Sequence, residues 1–119
     1  MRLTVIIPHY RSQTLDACLS SLEQHTASDG IHIIVVDDGS TDGSLEVLAE
    51  IQSHDEHVRV IELRRNFGQT AALAAGFDSA VGDIVITMDA DGQNDPKDIP
   101  LLLSEIERGL DMACGWRYE

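Results

Sequence analysis

Cations are scarce in this sequence: eight lysines and arginines against 21 aspartates and glutamates leave the 119 residues with a formal net charge of −13. So acidic a surface repels phosphate backbones and anionic membranes, which argues against nucleic acid as a partner. Aromatic residues are also few, at 4% of the chain. The apolar 43% is mostly Ile, Val, Leu and Ala, a composition that suits a parallel sheet covered by helices. Cysteine occurs only at Cys18 and Cys114, which match no metal-ligand spacing. They are expected as two reduced, buried thiols of a cytosolic protein. No apolar run approaches the ~20 residues that a membrane span needs. The opening apolar run, residues 3–7, is too short for a signal-peptide core. The expectation is one soluble domain large enough to hold a core.

What the chain does contain is a regular alternation. Apolar runs recur at residues 3–7, 31–36, 58–63, 83–88 and 110–114, the first four rich in β-branched residues. The second and fourth are nearly continuous, as strands buried on both faces are. Helical periodicity fills the gaps. Leu15, Cys18, Leu19 and Leu22 share one face, as do Leu45, Leu48 and Ile51. An alanine-rich helix over residues 68–79 carries Leu73 and Phe77 four apart. A fourth begins with Asp95 as N-cap and Pro96 at the first position, buries Ile99, Leu102, Leu103 and Ile106, and stops at Gly109. The order βαβαβαβαβ predicts an α/β fold: an open, mostly parallel, Rossmann-like sheet with helices on both faces. Ligands of such sheets bind beyond the carboxyl ends of the strands.

Aspartates gather at those ends. The second strand runs into Asp37-Asp38-Gly39-Ser40, and the fourth into Asp89-Ala90-Asp91-Gly92-Gln93. If these strands flank the first, both acidic pairs, neither needed by the core, project into one crevice. Asp89 and Asp91, two apart in an extended segment, point to the same side. Their convergence suits Mg²⁺ or Mn²⁺, hard ions that prefer oxygen ligands and bridge to a diphosphate. Gln93 is a further ligand or orienting group. Read alone, Asp-Ala-Asp-Gly is also an ordinary turn before a capped helix. Asp37 and Asp38 suit hydrogen bonds from a nucleobase N–H or ribose hydroxyls; read alone, their segment is equally a turn that Ser40 or Thr41 closes by capping the next helix. At the end of the first strand, Pro8 is expected to stop the ladder and Tyr10 to stack on a base or cover the sheet edge. His9 reads as a loop histidine. Arg11 and the pair Arg64-Arg65 either meet phosphate or form a solvated basic face. His25, His32, His54 and His57 show no metal spacing and read as structural or surface residues.

Together these segments resemble family 2 glycosyltransferases of the GT-A fold, and within that family the polyprenyl- or dolichyl-phosphate sugar transferases. The resemblance rests on Val5-Ile6-Ile7-Pro8-His9-Tyr10, Val35-Val36-Asp37-Asp38-Gly39-Ser40-Thr41-Asp42-Gly43-Ser44, Arg65-Asn66-Phe67-Gly68-Gln69, Ile86-Thr87-Met88-Asp89-Ala90-Asp91-Gly92-Gln93-Asn94-Asp95-Pro96 and Gly115-Trp116-Arg117, in that order. Each motif is weak alone; in order, over essentially the whole chain, they are specific. The resemblance implies that Pro8, Tyr10, Asp37 and Asp38 line a nucleotide pocket. Asp89, Asp91 and Gln93 would hold Mg²⁺ or Mn²⁺ against the diphosphate, and Arg117 would contact an acceptor phosphate. Family members invert the anomeric centre.

The full nucleotide-binding set is then Pro8, His9, Tyr10, Arg11, Asp37, Asp38, Gly39, Gly68, Gln69, Asp89, Ala90 and Asp91, with Asp91 and Arg117 as the catalytic residues. Three features depart from the family pattern. Arg11-Ser12 stands where Asn-Glu is common, and Gly92 where Leu is common. Family enzymes also continue well past the Gly-x-Arg segment into acceptor-binding elements. The expectation is therefore the nucleotide-sugar-binding part of a transferase, its donor UDP- or GDP-linked and its acceptor a polyprenyl phosphate. It is expected in the cytoplasm, at the inner face of a membrane in a longer form, and its unpaired sheet edge favours a homo-oligomer. The alternatives are a nucleotide-sugar-binding module without turnover and a nucleotidyltransferase. The latter normally wants a Gly-rich basic loop after the first strand, and Pro8-His9-Tyr10-Arg11 has no glycine.

Overall fold

The computed structural model describes residues 3–9, 31–40, 43–89 and 98–115. Four parallel strands form one sheet: β1 (Leu3–His9), β2 (Ile31–Asp37), β3 (Val58–Glu62) and β4 (Ile84–Thr87), in the order β3-β2-β1-β4. Helix α1 (Ser44–His54) links β2 to β3, α2 (Gln69–Ser79) links β3 to β4, and α3 (Ile99–Glu107) follows β4. The expected helix around Leu15 to Leu22 lies outside the described residues, and so does Cys18.

Alternation along β1 sends its side chains to two separate cores. Leu3, Val5 and Ile7 join Ile31, Ile33 and Val35 of β2, Leu48 of α1, Met88, and Ile99 of α3 on one face. Ile6 joins Ile34 and Val36 under Ala72 of α2 on the other. β2, one of the two runs that read as continuous, is buried on both sides as expected; β4, the other, is instead half-buried in alternation, with Val85 40% exposed. Burying each core Val, Leu or Ile side chain contributes about 1.5–3 kcal/mol. The predicted α/β architecture with helices on both faces is what the structure shows.

Local expectations fare less evenly. Residues 110–114, expected as a fifth strand, join no ladder among the described residues, and Met112 is 78% exposed. The segment Leu110-Asp111-Met112-Ala113-Cys114 is apolar but has no β-branched residue, and a strand forms only where a paired edge receives it. Pro8 does not stop β1, whose ladder with β2 continues through Pro8↔Val36 to His9↔Asp37. The reason lies in which way each residue's backbone faces. The Ile6 carbonyl accepts from Met88 N–H and the His9 carbonyl from Asp38 N–H. Even-numbered residues of β1 therefore turn toward β4 and odd-numbered ones toward β2. The donor that Pro8 lacks would point at β4, whose pairing has already ended at Ile6↔Thr87.

The α2 stripe keeps Leu73, which packs against the core, but not Phe77. Ala72 and Gly76 face the sheet, whereas Phe77 is 52% exposed. A Cβ placed on Gly76 would meet Ile6 Cγ2 at 2.5 Å, so the small residues let α2 lie close on β1. Neither Ser40 nor a side chain of any kind caps α1 among the described residues; Gly43 occupies its N-cap with φ 86°. Helix α3, whose expected start at Asp95 and Pro96 falls outside the described residues, is described from Ile99, with Pro100 in its first turn. Proline is tolerated there because first-turn N–H groups have no helical partner.

The tight α2–β1 contact predicts that Gly76→Val lowers stability by about 1–3 kcal/mol through overpacking. Urea unfolding of the two proteins measures it, and an unchanged midpoint would mean that α2 can lift off β1 freely.

Candidate functional site

The strand order makes β1 the point where the chain reverses direction across the sheet: β2 and β3 lie to one side and β4 to the other. Such a switch point leaves a crevice beyond the strand ends. A cleft of about 220 Å³ opens there, lined by Pro8, Gln69, Leu73, Thr87, Met88 and Asp89. Pro8 fits this wall because it leaves no unsatisfied N–H where β1 and β4 part.

Asp37 and Asp89 thus stand at the same end of the sheet, on the two strands that flank β1. Asp89, directly after Met88, is half-buried in the cleft wall, and its Oδ1 accepts a hydrogen bond from Gln69 Nε2 at 3.2 Å. Its carboxylate is a hard oxygen donor in a polar cleft, the chemistry that Mg²⁺ or Mn²⁺ requires. Ala90, Asp91 and Gln93 lie outside the described residues. Among the described residues, no group of three or more His, Cys, Asp or Glu side chains comes together to hold a metal. Asp89 alone represents the expected ligand set.

Asp37 ends β2 fully buried. Its Oδ2 accepts from Ser40 N–H at 2.9 Å, which closes the turn after the strand. Its Oδ1 lies 3.7 Å from His9 Nε2, beyond hydrogen-bonding distance, and has no hydrogen-bond partner among the described residues. A buried carboxylate oxygen held ready in this way suits a donor from outside the described structure. His9 itself is the last residue of β1 and is buried, not a loop residue. Tyr10 and Arg11, which follow it, lie outside the described residues.

Asp38 behaves differently from its neighbour. Only 4% exposed, it accepts Phe67 N–H on Oδ1 at 2.8 Å and Gly68 N–H on Oδ2 at 2.9 Å. Gly39 follows at φ 78°, and a Cβ there would sit 2.2 Å from the Arg65 carbonyl carbon and 2.3 Å from Asn66 N. The turn after β2 is therefore pressed against the segment before α2, and both acidic residues of the turn serve the fold. Sequence reasoning missed this contact. The available signal was the pairing of two glycine-bearing motifs, Asp38-Gly39 and Phe67-Gly68, each with positive φ at its glycine. Arg65 rests over the Phe67 ring at 4.8 Å from its centroid, and both Arg64 and Arg65 are exposed.

Elsewhere, Cys114 is a free thiol but exposed, not buried, because the strand expected to shelter it is not formed. Arg117 lies outside the described residues. No helix among the described residues is long and apolar enough to cross a membrane.

The sheet order, the helix on each face and the acidic crevice at the switch point define the GT-A arrangement, and solved structures agree. A mannosyltransferase from Pyrobaculum calidifontis, in complex with GDP-Man and Mn²⁺, superposes with a TM-score of 0.72 at 27% identity, over 82% of this chain and 29% of that one. TarS of S. aureus shares the fold, with a TM-score of 0.76 at 24% identity over 91% of this chain and 33% of the TarS chain. The family model described as glycosyl transferase family 2 matches residues 4–119. The chain belongs to that family. Among curated relatives it is 53% identical, over 87 residues, to the dodecaprenyl-phosphate galacturonate synthase of Rhizobium johnstonii, covering 71% of this chain and 26% of the relative. It is 42% identical, over 118 residues, to the undecaprenyl-phosphate 4-deoxy-4-formamido-L-arabinose transferase of Proteus mirabilis, covering 94% and 36%. The chain thus spans about a quarter to a third of the length of these relatives.

The close passage at Gly39 predicts that Gly39→Ala costs at least about 1–3 kcal/mol, the penalty of a left-handed conformation for alanine, before any displacement of the loop. Chemical unfolding together with hydrogen exchange at the Phe67 and Gly68 amides measures it. Wild-type stability with wild-type protection at both amides is the contrary result.

Proposed function

We propose that this chain is the nucleotide-sugar-binding domain of a metal-dependent, inverting glycosyltransferase whose acceptor is a polyprenyl phosphate. The observation that carries the reading is the placement of Asp37 and Asp89 on either side of β1, at the carboxyl end of the sheet, with Asp89 lining a cleft between Pro8 and the start of α2. Family membership and the polyprenyl-phosphate acceptors named for two relatives support it. The GDP-Man and Mn²⁺ bound to a structural neighbour support a nucleotide-sugar donor and a divalent ion.

On this reading the base and ribose of a UDP- or GDP-linked sugar lie against Pro8, His9, Tyr10, Arg11 and Gly39, with Asp37 Oδ1 accepting from a base N–H or ribose hydroxyl. Gly68, Gln69 and Ala90 border the diphosphate. Asp89, Asp91 and Gln93 hold Mg²⁺ or Mn²⁺. That ion supplies charge neutralisation for the departing diphosphate. Arg117 draws the acceptor phosphate into line, and its oxygen attacks the anomeric carbon opposite the leaving group. An ionised phosphate needs no general base, so the site can do without one. Elements that shape the lipid side fall outside these residues, in keeping with the share of each relative that the chain covers. A polyprenyl phosphate resides in a bilayer, so the domain works at the cytoplasmic face of a membrane.

Calorimetry with UDP and GDP tests the donor site. One of them is expected to bind in the presence of Mn²⁺, and Asp89→Ala or Asp91→Ala is expected to weaken that binding roughly a hundredfold or more, since each removes a metal ligand outright rather than a supporting contact. Equal binding with and without EDTA would overturn the metal-dependent reading. Sugar transfer to a polyprenyl phosphate, measured on the longest available form of the protein, separates a transferase from a binding module without turnover.

A further inference from the structure

We propose that Asp38 is a positioning residue for Asp89 rather than a ligand of the nucleotide, acting through the start of α2 and the side chain of Gln69. The inference rests on the reading that Asp89 carries the metal, and it revises the part that Asp38 plays within it.

Three observations lead there. First, both oxygens of Asp38 are already committed to the Phe67 and Gly68 amides, and the side chain is almost wholly buried. A carboxylate gripping two successive N–H groups fixes the chain in rotation as well as position, and charge assistance makes these bonds strong. Their location at the positive end of α2 adds to that. Secondly, Gly39 presses directly on the Arg65–Asn66 peptide, so the segment before α2 is held by a backbone contact as well as by the carboxylate. Thirdly, the residue after Gly68 is Gln69. The helix above it is tied down at once by the Ala72 N–H to Gly68 carbonyl bond of 3.1 Å. From that fixed base the Gln69 amide donates to Asp89 Oδ1.

The result is a continuous path: the end of β2, the Asp38 carboxylate, the amides before α2, the Gln69 side chain, and the Asp89 carboxylate on the far side of β1. A hydrogen bond from a neighbouring group to a metal-binding carboxylate orients it, and loss of such a bond typically costs about 10–100-fold in metal affinity. Asp38 stands one step further back. Asparagine in its place would turn an NH₂ donor toward an N–H donor, release one of the two amides and let the start of α2 shift.

The variants Asp38→Asn and Gln69→Ala, alone and combined, test this. Three quantities are read: Mn²⁺ affinity without nucleotide, affinity for uridine and guanosine, and the NMR resonance of the Gln69 side-chain amide in the metal-free protein. Each single variant is expected to weaken Mn²⁺ about 10–100-fold and to leave nucleoside affinity unchanged. The double variant is expected to lose no more than Gln69→Ala alone, because the two residues act in series. Additive losses, or a loss of nucleoside affinity in Asp38→Asn matching its loss of Mn²⁺, would overturn the proposal. So would Mn²⁺ affinity that is unchanged in both single variants. If Asp38→Asn does not fold, Gln69→Ala, whose side chain is exposed, carries the metal arm alone, and unchanged Mn²⁺ affinity there sinks the path. If the wild-type protein binds neither Mn²⁺ nor a nucleoside diphosphate, the proposed function falls. The Gln69 resonance then decides the positioning path by itself: displaced in Asp38→Asn it stands, unmoved it fails.

Discussion

β1 is hydrogen-bonded along both edges, to β2 and to β4, and covered on both faces. The two ladders are not equally long: the one with β2 runs to His9, and the one with β4 ends at Ile6. That difference leaves Pro8 and His9 extending past the β4 ladder, and the space beside Pro8 is the cleft. A strand that pairs fully on one side and partly on the other needs a residue without a donor at the point of divergence, and Pro8 supplies it. The position of the site is thus a consequence of ladder length and strand order, settled before any polar side chain is considered.

Three features of the chain were legible because they follow from periodicity and element order. The continuous run at β2 reports burial on both faces, though the similar run at β4 does not, and Leu48 and Ile51 report the face of α1 that meets the sheet. The acidic ends of the second and fourth strands were legible for the same reason, since an α/β order puts all carboxyl ends on one side. What periodicity does not carry is pairing. The run at 110–114 is largely apolar but joins no ladder among the described residues. Phe77, which a hydrophobicity pattern assigns to the buried stripe, is displaced by Gly76, because close approach of α2 to Ile6 leaves room for no side chain. Small residues win where backbones touch, and apolarity scales are blind to that.

The acidic turn after β2 shows a second limit. As sequence, Asp37 and Asp38 are two equivalent carboxylates. The pleat makes them opposites, because successive residues leave a strand on different sides. Asp37 folds back on its own turn and keeps one buried oxygen without a hydrogen-bond partner among the described residues. Asp38 reaches 29 and 30 residues along the chain to close on Phe67 and Gly68. One closes its own turn and the other a distant segment, and no local pattern distinguishes the two. Long-range partners of a carboxylate become visible only when β2 and the start of α2 are seen side by side.

The same contact bears on how a diphosphate can be held in this crevice. In many α/β proteins phosphate sits on free amides at a helix N-terminus. Here the two amides just ahead of α2 are filled by an internal anion, so the phosphate-binding capacity of that helix end is partly spent on Asp38. Asp37 and Asp89 add two further carboxylates to the same end of the sheet, in a chain of net charge −13. An incoming diphosphate therefore meets repulsion from fixed charges and reduced help from backbone dipoles. A divalent cation answers both at once, because it turns the carboxylates from repulsive neighbours into ligands. On the proposed reading a divalent cation then suits the fold: the carboxylate that steadies α2 also takes up one of the amides that this helix end could otherwise offer to the diphosphate.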